Sequence, residues 1–171
     1  NFVYPSPHEN PAGFVATILE MVRDHDIDAV FPISDIAMHL IGPERAQFER
    51  FTRLPSPPAE VFQEISDKYR LMQRAVSEGV GIPETIFVPD GNLKGILDTI
   101  AVFPVVVKPG CSLVKVGSQW KKTSVCYAES REDLLRLYDE KDYLRAPSLI
   151  QQRVVGAGEG LFVLMQEGTP L

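Results

Sequence analysis

The sequence predicts an α/β fold whose second half contains a mostly antiparallel sheet. Along residues 10–50, helical spacing of apolar residues alternates with a short apolar run, which is typical of α/β proteins. Farther along, three successive valines (105–107) have high β propensity and predict a strand buried on both faces. A lysine, a proline and a glycine (108–110) follow at once. We therefore expect this strand to hold one ammonium group at the mouth of a cleft.

Composition limits the classes of protein that fit. The chain has 171 residues, of which 44% are hydrophobic and 23% are charged, as in an ordinary globular protein of one domain or two small ones. A net charge of −6 argues against a general role in nucleic-acid binding. The two cysteines, Cys111 and Cys126, form no disulfide framework. With no apolar run of membrane-spanning length and no signal-peptide pattern, we expect a cytoplasmic protein.

The first third of the chain predicts helix, strand and helix. Asn10-Pro11 is a helix start, and apolar residues recur at helical spacing behind it. Residues 29–33 predict a short buried strand, and Ser34-Asp35 begins another helix. No G-x-G-x-x-G motif follows a strand, so a dinucleotide-binding fingerprint is absent. The proline-rich segment 54–58 predicts a sub-domain boundary.

The remaining residues predict helices and strands in a fixed order. Ser66 or Asp67 should cap a helix that ends near Gly79, and Ser130 should cap another that continues to about residue 140. A hairpin is indicated by the alternating pattern around Gly117-Ser118. The other predicted elements are strands at 85–88, 104–108, 112–116, 119–127, 148–155 and 161–166, and a short helix at 93–100.

From Asp67 onward the chain resembles the first part of an ATP-grasp module, as in the large subunit of carbamoyl-phosphate synthase and its carboxylate–amine ligase relatives. Four segments in the right order carry the resemblance. They are Asp67-Lys68 with Gly-Ile-Pro-Glu-Thr (81–85), Phe-Pro-Val-Val-Val-Lys-Pro (103–109), Ser-Arg-Glu-Asp-Leu (130–134), and Leu-Ile-Gln-Gln-Arg-Val-Val-Gly (149–156) followed by Glu159.

The resemblance implies a domain organisation. Residues 1–65 would be the C-terminal part of a Rossmann-like pre-ATP-grasp α/β domain. Residues 66–171 would be the N-terminal part of the ATP-grasp domain, with an α+β lid at about 103–153. The resemblance leaves open whether the protein forms a homodimer, and it does not identify the carboxylate and amine substrates.

The resemblance also implies a site for ATP. Lys108 would reach the phosphates and the adenine edge, and Lys68 would face the phosphates as a second point charge. The hinge from Gln152 to Val154 would read the adenine edge, and Glu159 would accept hydrogen bonds from the ribose. Each of these side chains also has an ordinary alternative as a solvated residue.

Two departures from the family pattern leave the function open. The family's lid loop is usually rich in glycine, whereas residues 111–122 contain one glycine. Lys115, Lys121 or Lys122 would then replace backbone donors, or would form a solvated basic hairpin. The ligands for Mg²⁺ are expected beyond residue 171. Three functions follow: part of an ATP-grasp ligase, a non-catalytic nucleotide-binding module, and a plain α/β interaction domain.

Overall fold

The structure is a computed structural model that describes residues 2–116, 119–163, 165–166 and 168–170. Helices dominate its first half, and strands dominate its second. Within the described ranges, no helix is both long enough and apolar enough to cross a membrane.

The helices and strands are numbered here in chain order. The α-helices are α1 (Pro11–Asp24), α2 (Asp35–Ile41), α3 (Arg45–Phe48), α4 (Ala59–Ser66), α5 (Lys68–Ser77) and α6 (Arg131–Glu140). The strands are β1 (Thr85–Val88), β2 (Val105–Pro109), β3 (Leu113–Val116), β4 (Gln119–Lys122), β5 (Cys126–Ala128), β6 (Ser148–Gln152), β7 (Met165–Gln166) and β8 (Thr169–Pro170). Short 3₁₀ turns lie at Gly42–Glu44, Leu97–Thr99 and Asp142–Arg145.

The N-terminal helices start where the sequence predicts. The Asn10 side chain accepts a hydrogen bond from the Gly13 N–H at 2.9 Å, and Ser34 caps α2 in the same way. These helices enclose one apolar cluster, because their inward positions recur at helical spacing. The buried members of that cluster are Phe14, Val22, Ala37, Ile41, Phe48 and Leu54.

The strand predicted at residues 29–33 does not form. Ala29 makes one isolated parallel bridge to Arg53, while Phe31 and Ile33 are 64% and 95% exposed. Among the described residues, no neighbouring strand lies alongside this segment to pair with it, and a strand without a partner leaves its backbone groups unpaired. The Rossmann-like part of the predicted fold therefore has no support in the structure beyond this bridge.

The proline-rich segment that follows is fixed by one arginine. The Arg45 guanidinium donates to the carbonyl oxygens of Leu54 at 3.1 Å, Ser56 at 2.6 Å and Pro57 at 3.1 Å. It also pairs with Glu49 at 2.6 Å. A planar guanidinium suits this task, because its donors point in several fixed directions at once.

The predicted antiparallel sheet in the second half is confirmed. Four strands pair in the order β1-β6-β2-β5, and each neighbouring pair is antiparallel. The central strand β2 buries Val105, Val106 and Val107, which are all less than 8% exposed, so the valine run is buried on both faces as predicted. Lys108 follows with intermediate exposure.

The two faces of the sheet have different coverings. On one face, β-strand residues pack with α6 and the adjoining turns in the main core, to which α6 contributes Leu134 and Tyr138. On the other face, α5 packs against β2 and β6, and its Tyr69 ring meets Phe87 edge-on at 5.3 Å. This second face also carries Val106 and Lys108 of β2 and Tyr127 of β5. These strands lie toward the edge of the sheet opposite β1, the strand that carries Phe87.

Three predicted elements differ in the structure. Residues 93–100 form turns and a single 3₁₀ turn rather than an α-helix, because Gly95 adopts φ = +77°, which a right-handed helix cannot contain. The predicted strand 119–127 is split, because β4 pairs with β3 while β5 pairs with β2. The predicted strand 148–155 stops at Gln152, where the next partner on β2 would be Pro104, which has no N–H to donate.

The final strand is also shorter than predicted. Met165–Gln166 pairs with Thr169–Pro170, and residues 161–163 are outside any strand. The predicted turn at Gly117-Ser118 lies outside the described residues, although β3 and β4 on either side of it are paired as predicted.

Candidate functional site

A pocket of about 540 Å³ opens on the sheet face beside α5, where β6 ends. It is open to solvent, and its walls come from β2, β5 and the segment that follows β6. The residues lining it are Pro83, Val106, Lys108, Val125, Tyr127, Gln152, Arg153, Val154, Val155 and Gly156. Lys108, Gln152 and Val154, three residues that the sequence predicts for the site, therefore meet at one pocket.

The floor of the pocket follows from strand alternation. Val106 and Lys108 are two residues apart on β2, so their side chains point to the same face. Val106 pairs directly with Tyr127 of β5, which places the Tyr127 ring on that face as well. Tyr127 is 57% exposed and Val125 is 45% exposed, so this apolar floor lacks a protein covering among the described residues.

Arg153 and Tyr127 form a pair at the pocket that the sequence did not predict. The Arg153 guanidinium carbon lies 5.7 Å from the centre of the Tyr127 ring, within the range of a cation–π contact. The available signal was the alternation of Val125 and Tyr127 just before Ser130, together with a cation directly after the predicted hinge strand. Pro83 and Val106 also line the pocket and were not predicted.

Two successive glutamines at the end of β6 have different surroundings. Gln151 is buried, and its Nε2 donates to the Thr85 Oγ1 at 2.8 Å. Gln152 is exposed, and its backbone N–H donates to the carbonyl of Glu84 at 2.9 Å. Past Gln152 the chain leaves the sheet, and Val154 and Val155 are 72% and 84% exposed. The hinge segment thus presents its backbone at the rim of the pocket.

Lys68 lies next to the end of β2, at the base of the β3–β4 pair. Its backbone N–H donates to the carbonyl of Gly110 at 2.6 Å, and its Nζ donates to the Ser112 Oγ at 3.4 Å. Gly110 is only two residues past Lys108, so both predicted lysines lie near the same end of the strand. Cys111, which lies between Gly110 and Ser112 in the sequence, is half-buried, and burial, with Asp67 nearby, raises the pKa of its thiol to about 11.

The β3–β4 pair carries the other predicted lysines on one of its faces. Lys115 pairs with Trp120, Lys122 pairs with Leu113 on the same side, and both lysines are exposed. On the opposite side Lys121 forms an ion pair with Asp142, and its hydrogen bond lowers the pKa of the Asp142 carboxyl. Lys121 is therefore engaged within the chain.

Glu159 lies apart from the pocket. It is exposed in the segment after β6 and is not among the residues that line the cavity. The structure therefore brings Lys108, Gln152 and Val154 together and places Lys68, Lys115 and Lys122 at or on the β3–β4 pair. The binding roles of all seven residues stay predictions.

A metal site is not found in the part of the chain that the structure describes. There, no group of three or more His, Cys, Asp or Glu residues could hold an ion. The pocket itself is lined by two cationic side chains and no acidic one, which suits an anion rather than a cation.

The sequence matches no protein-family model and no curated protein. Solved structures are similar in fold. The biotin carboxylase domain dimer of the Hydrogenobacter thermophilus 2-oxoglutarate carboxylase, in complex with MgADP, ADP and bicarbonate, is 15% identical with a TM-score of 0.57, covering 83% of this chain and 32% of that one. Carboxyaminoimidazole ribonucleotide synthase from Aspergillus clavatus, complexed with ATP, is 11% identical with a TM-score of 0.52, covering 81% and 34%.

A third similar structure has the family in its description. It is a RimK domain ATP-grasp protein from Sphaerobacter thermophilus, 18% identical with a TM-score of 0.50, covering 74% of this chain and 46% of that one. The chain therefore spans less than half the length of each of these proteins. At these identities the likeness concerns the fold, which is that of part of an ATP-grasp protein, as the sequence predicted.

Proposed function

We propose, starting from this partial ATP-grasp fold, that the chain is the nucleotide-binding portion of an ATP-grasp ligase. Such an enzyme uses ATP to convert a substrate carboxylate into an acyl phosphate, which an amine or a similar nucleophile then attacks. This portion would hold the nucleotide while the rest of the ligase completes the site.

One observation carries the proposal: the pocket combines an apolar floor with cations and a free backbone edge. Val106, Val125 and Tyr127 offer an apolar surface on which a flat purine can lie. Lys108 and Arg153 supply positive charge at its borders. The hinge after Gln152 supplies N–H and C=O groups that a base edge can use. These are the features that a nucleotide requires.

The lysines near the end of β2 would serve the phosphates. Transfer of a γ-phosphoryl group depends mainly on positioning and on positive charge near the phosphate oxygens. Lys68 and Lys108 lie near this end of the strand, and Lys115 and Lys122 share one face of the adjoining β3–β4 pair. Mg²⁺ would supply further charge on the phosphates. Its ligands are not found among the described residues.

A non-catalytic nucleotide-binding module is the second candidate. It is favoured by the segment 111–122, which contains one glycine and whose Lys121 is bound to Asp142. A loop of this kind offers phosphates fewer backbone amides than a glycine-rich one. Release of ADP that depends on both a carboxylate and an amine would favour the ligase. Nucleotide binding without such turnover would favour the module.

Replacing Lys108 with Met tests the nucleotide site. The substitution keeps the aliphatic stem and deletes the charge, so the affinity of the full-length protein for MgATP should fall about tenfold or more, the equivalent of a charge-assisted contact of about 1.5–3 kcal/mol. Lys94→Met is the matched control, because Lys94 is exposed and outside the pocket lining. Calorimetric titration measures both variants.

The melting temperature of each unliganded variant completes this test. We expect no change for Lys108→Met, since the described residues give the Lys108 ammonium no hydrogen-bond or ion-pair partner to lose. Unchanged nucleotide affinity, or a large fall in melting temperature, would make Lys108 a structural residue. Absence of any nucleotide binding by the wild type would leave the plain α/β interaction domain as the function.

A further inference from the structure

A second cavity, of about 340 Å³, lies on the opposite face of the sheet from the pocket that holds Lys108. Strand alternation fixes its floor. Val105 of β2 and Ile150 of β6 direct their side chains into the main core beneath α6, so alternate residues of the paired strands share that face. The side chains of the α6 face that border the cavity are those of Glu84, Ile86, Val105, Ile150 and Gln152.

The walls of this cavity are mostly apolar. The segment 99–104 forms one side, and its Ile100 and Phe103 pack against the main core while they border the open space. The volume is within the range of small-molecule sites and accommodates a phenyl ring with a short chain. The cavity is only partly enclosed, so such a molecule can enter without a change in the fold.

Two neighbouring side chains form a polar end to the cavity. The Gln152 N–H donates to the Glu84 carbonyl oxygen at 2.9 Å, so these residues lie opposite each other where β6 ends and β1 begins. Residues opposite each other direct their side chains to the same face. Gln152 also pairs with the core residue Val105, which identifies that face as the α6 face. Glu84 and Gln152 are exposed, and within the described ranges neither side chain makes a hydrogen bond or an ion pair.

The other polar side chains that border the cavity are engaged elsewhere. The Thr99 hydroxyl donates to a backbone carbonyl at 2.7 Å, and the Gln151 amide is bound on the α5 face. Arg153 also borders the cavity, but its guanidinium lies over the Tyr127 ring on the α5 face. Among the described lining residues, the charge that faces the cavity is therefore the negative charge of Glu84.

We propose that this cavity is a binding site for a small primary amine with an apolar body. The apolar body lies on Ile86, Ile150 and the walls of segment 99–104. The ammonium group donates hydrogen bonds to the Glu84 carboxylate and to the Gln152 Oε1, because its three N–H donors match two acceptors that lie side by side. The site is separate from the nucleotide pocket and does not depend on the function proposed for that pocket.

Methyl NMR of the full-length protein, titrated with 2-phenylethylammonium, tests the position of the site. We expect the δ1-methyl signals of Ile86, Ile100 and Ile150 to shift, because these side chains line the cavity. The signal of Ile41, in the apolar cluster of the N-terminal helices, should not move. A ligand of this size should bind with a dissociation constant in the millimolar range or tighter.

Two analogues with the same phenyl ring test the chemical class of the ligand. 2-Phenylethanol replaces the ammonium with a neutral hydroxyl group, so it should bind about tenfold or more weakly because a charge-assisted contact is lost. 3-Phenylpropanoate carries a negative charge and should cause no shift of the cavity methyl signals, because Glu84 repels it.

Replacing Glu84 with Gln tests the residue that confers this preference. The substitution keeps the size and deletes the charge, so affinity for 2-phenylethylammonium should fall about tenfold or more and approach that of 2-phenylethanol. Glu129→Gln is the matched control, since Glu129 is exposed and outside the cavity lining. Its affinity should equal that of the wild type. An unchanged methyl spectrum of unliganded Glu84→Gln shows that the variant is folded.

Three results would overturn the inference. One is that 2-phenylethylammonium leaves the three cavity methyl signals unmoved in the wild type. Another is that 2-phenylethanol binds as tightly as the amine, because the cavity would then select apolar bodies without regard to charge. The third is that Glu84→Gln, correctly folded, keeps the wild-type affinity for the amine, because Glu84 would then not contact the ammonium group.

Discussion

The indole ring of Trp120 stacks on the imidazole ring of His39, with ring centres 5.5 Å apart and planes inclined by 27°. Trp120 belongs to β4, whereas His39 belongs to α2, so this contact joins the β3–β4 pair to the N-terminal helices. The Phe62 ring of α4 meets His39 edge-on at 5.2 Å and completes a three-ring cluster. The ion pair between Lys121 and Asp142 holds the same strand from its other side.

Replacing Trp120 with Ala should loosen the β3–β4 pair. A two-stranded ribbon is marginal by itself, and an aromatic contact contributes about 0.5–1.5 kcal/mol. We therefore expect trypsin to cleave after Lys121 or Lys122 about fivefold faster in Trp120→Ala, provided that opening precedes cleavage. Trp120→Phe keeps an aromatic ring against His39 and should stay near the wild-type rate. Equal rates in all three proteins would show that the ring cluster does not hold the strands.

Replacing Gly110 with Ala should destabilise the junction between α5 and the sheet. A Cβ at this position would lie 2.7 Å from the Asp67 Oδ1 and 3.0 Å from the Pro147 carbonyl oxygen. Asp67 caps α5 by accepting from the Tyr69 N–H at 2.9 Å, so the added methyl group would also displace the cap. We expect a loss of about 1–3 kcal/mol in the free energy of unfolding, measured with urea.

The control for that substitution is Gly81→Ala. No atom lies within 4 Å of a Cβ built on Gly81, and its φ is not positive, so the free energy of unfolding should stay at or slightly above the wild-type value. Equal stability of the two variants would mean that the α5 junction adjusts to a side chain at residue 110.

Tyr138 and Ser148 should prove to be energetically coupled. Their hydroxyl oxygens are 2.8 Å apart in the core, where the bond joins α6 to the first residue of β6. Tyr138→Phe leaves the Ser148 hydroxyl buried without that partner and should cost about 1–3 kcal/mol. Removing both hydroxyl groups with Tyr138→Phe and Ser148→Ala should cost less than the sum of the single changes. Additive costs in a double-mutant cycle would contradict the coupling.

The Cys111 thiol should react slowly with iodoacetamide in the folded protein. Burial raises its pKa from the ordinary value of 9.0 to about 11, so at pH 8 the thiolate is scarce and alkylation should be about tenfold or more slower than in urea-unfolded protein. Peptide mass spectrometry separates Cys111 from Cys126. Equal rates in folded and unfolded protein would contradict this prediction.

The same shift predicts a dependence of stability on pH. The folded pKa exceeds the unfolded one, so this contribution to stability is complete below about pH 9 and is lost as the pH rises toward 11. In Cys111→Ser that part of the alkaline loss should disappear. Urea unfolding at pH 8 and pH 10 measures the difference, and an unchanged alkaline loss in the variant would contradict it.

Sequence patterns predicted the second half of the chain better than the first. The valine run of β2, the helix capped by Ser130 and the antiparallel order of the sheet are confirmed. They depend on local apolar periodicity and on caps, which the sequence shows directly. The strand at 29–33 failed because a strand requires a neighbour, and local pattern does not reveal whether one is present. The helix predicted at 93–100 also failed, because Gly95 has a positive φ and the sequence does not show which glycines adopt one.

For the candidate site, sequence reasoning located the strand end but not the pocket walls. Lys108, Gln152 and Val154 meet there because β2 and β6 are adjacent, which the predicted pairing implied. Arg153 falls within the predicted hinge, but Tyr127 and its contact with Arg153 were missed, since that contact depends on the register of β5 and on how the chain leaves β6 after Gln152. Glu159 lies outside the pocket lining. The sequence could not predict this position, because no pattern in it fixes the course of the segment that carries Glu159.

The contacts of Arg45 determine where this chain can be dissected. A segment rich in proline usually invites an experimenter to express the parts on either side of it as separate fragments. Here a cut after Pro55 would leave Arg45 on the first fragment and would take the carbonyls of Ser56 and Pro57 away with the second. The Arg45 side chain would lose the acceptors on Ser56 and Pro57 and would keep only the Glu49 carboxylate and the Leu54 carbonyl. Fragments intended to fold alone should therefore keep residues 45–58 together.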